Sequence, residues 1–310
     1  MNILVAGELN PDLVLSDYTE FPSAGKEVLA KDLALTLGSA SAICAVGLAR
    51  LGNPVSFVSR LGKDVWGDFC LNALTTAGVE TGSVVSDASL KTGMTVSITN
   101  SRDRALVTYV GAIATLRSED IADDLLRQHT HLHVSSFYLQ EQLRPGCLDL
   151  FERAHGFGLT SSLDPGFDPS EEWKDDIVRV LQAVDVFLPN EIELAKIGGS
   201  TDPATAIGNL QNGRTLIIAK LGREGCMTIH EGQVVRVPSY PITVVDTTGA
   251  GDSFNAGFLH AWLRKQGVEK AVRFASVCGA LSTRDIGGTT SQATAAEVED
   301  HLRSGSFAHA

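Results

Sequence analysis

Short apolar runs alternate with helix-patterned stretches through the first two-thirds of the chain, and this alternation most constrains the fold. Residues 2–7, 55–59, 131–135, 159–163, 184–188 and 215–219 read as buried strands. Between them, 41–51, 66–77, 118–127, 146–155, 171–183, 191–197 and 203–211 carry helical spacing. Continuously apolar strands joined by helices predict a mostly parallel sheet covered on both faces, an α/β three-layer sandwich. In such sheets ligands bind beyond the carboxyl ends of the strands.

Two regions interrupt the alternation. Residues 13–37 contain extended pieces without a convincing helix start, and 93–99 with 105–110 read as a hairpin around the polar turn 100–104. Together, segments of about 13–37 and 93–112 are expected to form a small β-sheet lid inserted in one domain spanning 1–310. An antiparallel extension of the main sheet fits the same pattern. Towards the C-terminus, 225–230 and 233–237 read as a second hairpin, 244–245 as a short strand, and 253–265, 269–283 and 295–302 as helices.

Composition narrows the function. With 44% hydrophobic residues the chain can bury a sizeable core, and a net charge of -12 argues against nucleic-acid and anionic-membrane partners, which require basic patches. Five cysteines, none in a CxxC pair, argue against a disulfide framework or a zinc site. The apolar stretch 40–49 is too short to span a bilayer, and residues 1–6 lack the basic start of a signal peptide, so a cytoplasmic location is expected.

The segment that carries chemistry is Asp246-Thr247-Thr248-Gly249-Ala250-Gly251-Asp252-Ser253-Phe254. Two glycines at a helix start let successive N–H groups converge on one anion, assisted by the helix dipole. Asp252 fits two roles at that place: a helix N-cap, or a base that orients an acceptor hydroxyl and takes its proton. No GxxxxGK[ST] stretch occurs, and no GxGxxG follows the first strand.

On this segment the chain resembles the ribokinase-like (PfkB-type) carbohydrate kinases, whose C-terminal signature residues 246–252 match. Other landmarks follow in order: Gly7-Glu8-Leu9-Asn10-Pro11-Asp12, Gly38-Ser39-Ala40-Ser41-Ala42, Gly62-Lys63-Asp64, Asn190-Glu191-Ile192-Glu193 and Lys220-Leu221-Gly222 with Gly225. The resemblance implies phosphorylation of a hydroxyl on a sugar or sugar-like molecule by ATP with Mg²⁺. It implies Asp252 as the base and Gly249, Ala250, Gly251 and Asp252 as the anion hole. Asp12, Asn10, Gly38 and Ser39 would hold the acceptor. Asn190, Lys220, Gly222, Gly225 and Ser276 would border the nucleotide, with Glu193 reaching Mg²⁺ through water. Asp246 and Thr248, with carbonyls of the 284–289 loop, would bind K⁺, and the lid would pair with its copy in a homodimer.

The chain departs from that pattern where a second glycine is replaced by Ser39, an asparagine by Ile43, and a further asparagine by Ser276. The first two changes imply an altered acceptor face, because Ile43 has no hydrogen-bonding group. Lys26, Lys31, Arg102 and Arg104 near the lid leave room for an anionic substrate, and a solvated charge cluster explains them as well. A nucleoside kinase of the same fold would need a slot for the base, with Tyr109 and Phe137 as candidates. A non-catalytic sugar- or nucleotide-binding protein is the alternative from another class.

Overall fold

The computed structural model describes residues 1–99, 104–173 and 176–304. The expected turn 100–104 therefore lies outside the described residues except for its last position. The order of elements is β1 (Ile3–Ala6), β2 (Pro11–Ser16), β3 (Asp32–Leu37), α1 (Ala40–Arg50), β4 (Val55–Gly62), α2 (Val65–Thr76), β5 (Glu80–Asp87), β6 (Met94–Thr99) and β7 (Arg104–Tyr109). Then follow α3 (Asp123–Arg127), β8 (His131–Val134), α4 (Cys147–Gly156), β9 (Thr160–Leu163), α5 (Asp176–Val180), β10 (Val186–Phe187), α6 (Glu191–Gly198) and α7 (Pro203–Leu210). The remainder comprises β11 (Leu216–Lys220), β12 (Cys226–His230), β13 (Gln233–Val237), α8 (Ala250–Leu263), α9 (Val268–Ser282) and α10 (Ala295–Arg303).

Nine strands form the main sheet in the order β13-β12-β11-β10-β9-β8-β1-β4-β5. All neighbours pair in parallel except β12 and β13, which close one edge antiparallel. Period-two alternation divides the core between two faces. In β1, Ile3 and Val5 enter the cluster formed with α1, α2, α8 and α9, whereas Leu4 and Ala6 enter the one formed with α3 to α7. The chain leaves β1 towards β4 and β5 on one side and later occupies β8 to β11 on the other. The switch point falls between β1 and β8, where open α/β sheets form their binding crevice.

The interruptions form a separate four-stranded sheet, β3-β2-β6-β7, and do not extend the main one. Here β2 and β6 pair in parallel, whereas β3 and β7 flank them antiparallel. Register sorts its side chains cleanly. Leu13, Leu33, Leu35, Val96, Val107 and Tyr109 share one face, while Asp12, Val14, Thr95, Ser97, Leu106 and Thr108 share the other.

Several local expectations fail for identifiable reasons. Strand β5 was not anticipated: it lies at the sheet edge with only partial burial, so Glu80–Asp87 lacks an apolar signature. The expected helix 118–127 divides into a single 3-10 turn and the short α3, separated by Ile121 and Ala122 in extended conformation. The expected helix 171–183 begins only at Asp176, because Glu171 and Trp173 adopt left-handed φ of 53° and 48°. Val244 and Val245 form no strand; they are exposed, and Val245 N–H donates to the Thr283 carbonyl at the end of α9.

Candidate active site

A cavity of about 220 Å³ opens where the lid sheet faces the carboxyl ends of β1 and β8. Glu8, Asn10 and Asp12 line it from the β1 side, Ser136 and Leu139 from the β8 side, and Thr248, Gly249 and Asp252 from the start of α8. The chemistry-bearing turn and the opening strand-turn, more than 230 residues apart in sequence, thus face one space.

Gly249 is the N-cap of α8, with a left-handed φ of 71° and no side-chain cap on the helix. A Cβ at this position would fall 2.7 Å from the Gly288 Cα, so the turn requires glycine both for its dihedral and for its approach to the 284–289 loop. Asp252 therefore does not act as the N-cap; it sits in the first turn with its side chain on the cavity. The Ala250 and Ser253 N–H groups bond to the Thr247 and Gly249 carbonyls. Gly251 and Asp252 contribute the first-turn N–H groups that a helix start directs at an anion. Behind them, Asp246 accepts from the Thr248 N–H and hydroxyl at 2.9 and 2.8 Å through one oxygen, and from the Gly287 N–H at 2.9 Å through the other. Its carboxylate fastens the 284–289 loop to the turn.

Beneath the turn lies Lys220, at the end of β11. A Cβ on Gly251 would stand 3.5 Å from its Nζ. Lys220 is ion-paired to Asp164 at 2.6 Å, and its ammonium also donates to Asn255 Oδ1 at 3.2 Å. Asn255, one helical turn beyond Asp252, donates to the same Asp164 oxygen at 2.5 Å. Burial opposes ionisation of both partners. Lys220 outweighs it and holds Asp164 below its ordinary pKa, and Asp164 with Glu193 and Asp252 holds Lys220 above its own. The remaining carboxyls pay for this arrangement. Burial first and the Asp164 charge second push Asp252 up to about 7, against the pull of Lys220. The same two causes push Glu193 up to about 8, although hydrogen bonding from Asn190 opposes them.

Asn190 and Glu193 form a capping box on α6. Asn190 Oδ1 accepts from the Ile192 and Glu193 N–H groups at 2.9 Å, and Glu193 accepts from the Asn190 N–H at 2.8 Å and side chain at 2.7 Å. Both residues thus have a complete structural role. An isolated bridge pairs Asn190 with Lys220, which brings the box beside the ion pair. Gly222 and Gly225 bracket a 3-10 turn after β11. Ser276 is buried on α9 and donates to the Pro238 carbonyl at 3.2 Å. Among the described residues, no group of three or more His, Cys, Asp or Glu could hold a metal ion, and no helix is long and apolar enough to cross a membrane.

On the lid side, Gly38 makes room for Asp12: a Cβ on Gly38 would fall 2.0 Å from Asp12 Oδ1. Ser39 carries a left-handed φ of 70°, a conformation that costs a non-glycine residue about 1–3 kcal/mol. Its hydroxyl accepts from the Asn10 N–H at 2.7 Å and donates to Asn10 Oδ1 at 2.8 Å, which holds the strained residue in place. Ser136, with φ of 52°, is held similarly by Glu8 at 2.8 Å. Glu8 also accepts from the Ser41 N–H at 3.2 Å and hydroxyl at 2.5 Å near the start of α1, and burial raises its pKa.

Asp164, Asn255, Glu8 and Ser136 were not foreseen from sequence. Asp164 had a signal, since it directly follows a predicted buried strand where site residues of parallel sheets cluster. Ser136 had none, because its backbone angle is invisible in the sequence. Neither aromatic proposed for a nucleoside slot reaches the cavity: Phe137 is 0% exposed in the core, and Tyr109 lies on the outer lid face. Lys26 and Lys31 are exposed, and Arg102 and the side chain of Arg104 lie outside the described residues.

Residues 1–295 match the family described as pfkB family carbohydrate kinase. This chain belongs to the pfkB family of carbohydrate kinases. Like its relatives, it transfers a phosphoryl group to an alcohol. It is 33% identical over 276 residues to a fructokinase of Klebsiella pneumoniae, covering 82% of this chain and 87% of that one. The structure of an Arabidopsis thaliana ribokinase complexed with ribose and ATP superimposes with a TM-score of 0.84 at 25% identity, covering 97% and 98% of the two chains. A Methanocaldococcus jannaschii nucleoside kinase shares the fold, with a TM-score of 0.80 at 18% identity and 98% coverage of both chains.

The buried ion pair yields a prediction. Lys220→Met strands the Asp164 carboxylate, and urea denaturation is expected to show a loss of about 3–5 kcal/mol. The double variant Asp164→Leu/Lys220→Met should recover most of that loss. If it is as unstable as the single variant, the pair is not the source of the cost.

Proposed function

We propose that this kinase phosphorylates a hydroxyl of a monosaccharide-like acceptor held in the cavity, with ATP as the donor. One observation carries the reading: Asp252, the uncapped start of α8 and Asp12 face a single cavity. Asp252 takes the proton of the attacking hydroxyl. The new bond forms between the acceptor oxygen and the γ-phosphorus, and the bond to the leaving ADP oxygen breaks. The N–H groups of Gly251 and Asp252, with Lys220 below, stabilise the charge that develops on the transferring group. Gly249 and Ala250 supply the turn that aims them. Asp12 accepts hydrogen bonds from acceptor hydroxyls in the space that Gly38 leaves open, and Asn10 and Ser39 fix its surroundings.

ATP would extend from the α8 turn past Lys220, Gly222 and Gly225 towards Ser276, with Asn190 alongside. Mg²⁺, when bound, neutralises phosphate charge. Glu193 is suited to hold one of its waters, since both its oxygens already accept from Asn190 and direct ligation would break the capping box. K⁺ at Asp246 and Thr248, with carbonyls of the 284–289 loop, would add positive charge behind the turn. The sugar reading is favoured over a nucleoside because the cavity is below the roughly 300–1,000 Å³ of drug-sized pockets and, among the described residues, its lining has no aromatic side chain.

The outer lid face is apolar across all four strands, and Leu33 (60%), Val107 (63%) and Tyr109 (55%) are exposed. A second copy of this chain, bringing an equally uncharged face, would cover it in a homodimer.

Four outcomes are expected. Asp252→Asn should lower kcat by at least about 10³-fold while leaving ATP affinity within a few-fold; retention of most turnover removes Asp252 as the base. Since Asp252 must be ionised to accept a proton, kcat/KM should fall as pH drops below about 7. Asp164→Asn removes the charge that raises Asp252, so this limb should shift to lower pH; a limb unmoved by the variant assigns it to another group. Sedimentation of Val107→Asp should show monomer where the wild type shows dimer, and an unchanged mass would place any dimer interface elsewhere.

A further inference from the structure

We infer that the acceptor is uncharged and turns a C–H-rich patch towards the aliphatic part of the cavity wall, which makes anionic sugars such as sugar phosphates and aldonates poor substrates. This rests on the phosphotransfer reading above and specifies the substrate class of the same site. The charge distribution of the cavity is one-sided. Its lining carries three carboxyl groups, Glu8, Asp12 and Asp252, and among the described residues no Lys, Arg or His. Lys220 lies beneath the α8 turn and is already bound by Asp164 and Asn255. The donors nearest Glu8, the Ser41 and Ser136 hydroxyls, already serve its carboxylate. An anionic substituent placed here would lose its water without meeting a cation among the described side chains of the lining. Repulsion adds to that cost: two like charges about 7 Å apart, at an effective dielectric near 20, disfavour binding on the order of 50-fold.

Part of the wall is aliphatic, interleaved with the Thr95, Ser97 and Thr108 hydroxyls. Val14 and Leu106 come from the lid, Ile113 from the segment after β7, Leu139 from the turn after β8, and Ile43 from α1. Ile43 is closely packed on one side. Its Cδ1 stands 2.5 Å from where a Gly288 Cβ would lie, and its Cγ2 3.0 Å from that of Gly249, so the side chain is wedged against both backbones. A hydroxyl pressed against the aliphatic part loses a hydrogen bond to water and gains none from those side chains. A deoxygenated or methyl-bearing carbon gains contact there instead.

The test uses matched acceptors. ADP release with Mg-ATP is measured for a ketohexose and its 6-phosphate and for an aldose and its aldonate, with wild type and Leu106→Lys. Leu106 is exposed on the lid, so a lysine can be carried without disturbing the core. The neutral member of each pair should be preferred by about 50-fold or more in kcat/KM, and Leu106→Lys should narrow that ratio about tenfold, chiefly through KM of the anion. Equal or better use of the anionic member by the wild type overturns the inference, as does a ratio that Leu106→Lys leaves unchanged. A matched sugar and deoxysugar pair tests the wall: Ile43→Asn should shift selectivity towards the sugar about tenfold, and no shift removes Ile43 as the determinant. If no acceptor of any kind supports ADP release, the phosphotransfer reading fails. Calorimetric binding of the same pairs then still decides the charge and patch preferences, with the same ordering expected and its reversal overturning them.

Discussion

The ion pair between Lys220 and Asp164 joins parts of the molecule that have little else in common. Asp164 ends β9, Lys220 ends β11, and Asn255 brings α8 onto the same carboxylate oxygen. Neither charge would persist alone in the interior, because burial opposes ionisation of each, and together they fix two strand ends and a helix start in one geometry. The start of α8 must be held in this way, since no side chain caps it and its first glycine is left-handed. The ammonium that stabilises the fold thus also supplies positive charge beneath the α8 turn.

The carboxyls around this pair occupy different electrostatic positions. Asp164 takes the cation and is depressed, whereas Asp252 and Glu193 feel both the burial and Asp164 and are raised. One lysine cannot neutralise three carboxylates, so Asp252, which lines the cavity, is left with a raised affinity for a proton. The ion pair and the raised carboxyls arise from one unequal distribution of charge.

Much of this was legible in the sequence. The alternation of buried strands and helices gave the parallel sheet, because strands covered on both faces must be apolar throughout. The glycines and Asp252 gave the turn, because few other residues permit a left-handed N-cap packed on a neighbouring backbone. What escaped followed from geometry that composition does not encode. Strand β5 is an edge strand with partial burial, and Glu171 and Trp173 adopt backbone angles that their types rarely show. Asn190 and Glu193 also fit the spacing of a capping box, the role that their mutual hydrogen bonds complete. Glu8 stood within the recognised opening segment, but only the fold shows that it holds the start of α1 and the strained Ser136 together.

The lid sheet has a further consequence. Successive residues of β2 alternate between its faces: Asp12 and Val14 border the cavity, while Leu13 and Leu15 lie on the outer surface. One strand therefore transmits load in both directions with no intervening element. Were a partner on the outer surface to favour one arrangement of Asp12, a molecule that settles Asp12 from within would favour that partner by the same factor. Under the proposed dimer and acceptor site, association and acceptor affinity would be two readings of a single coupling energy.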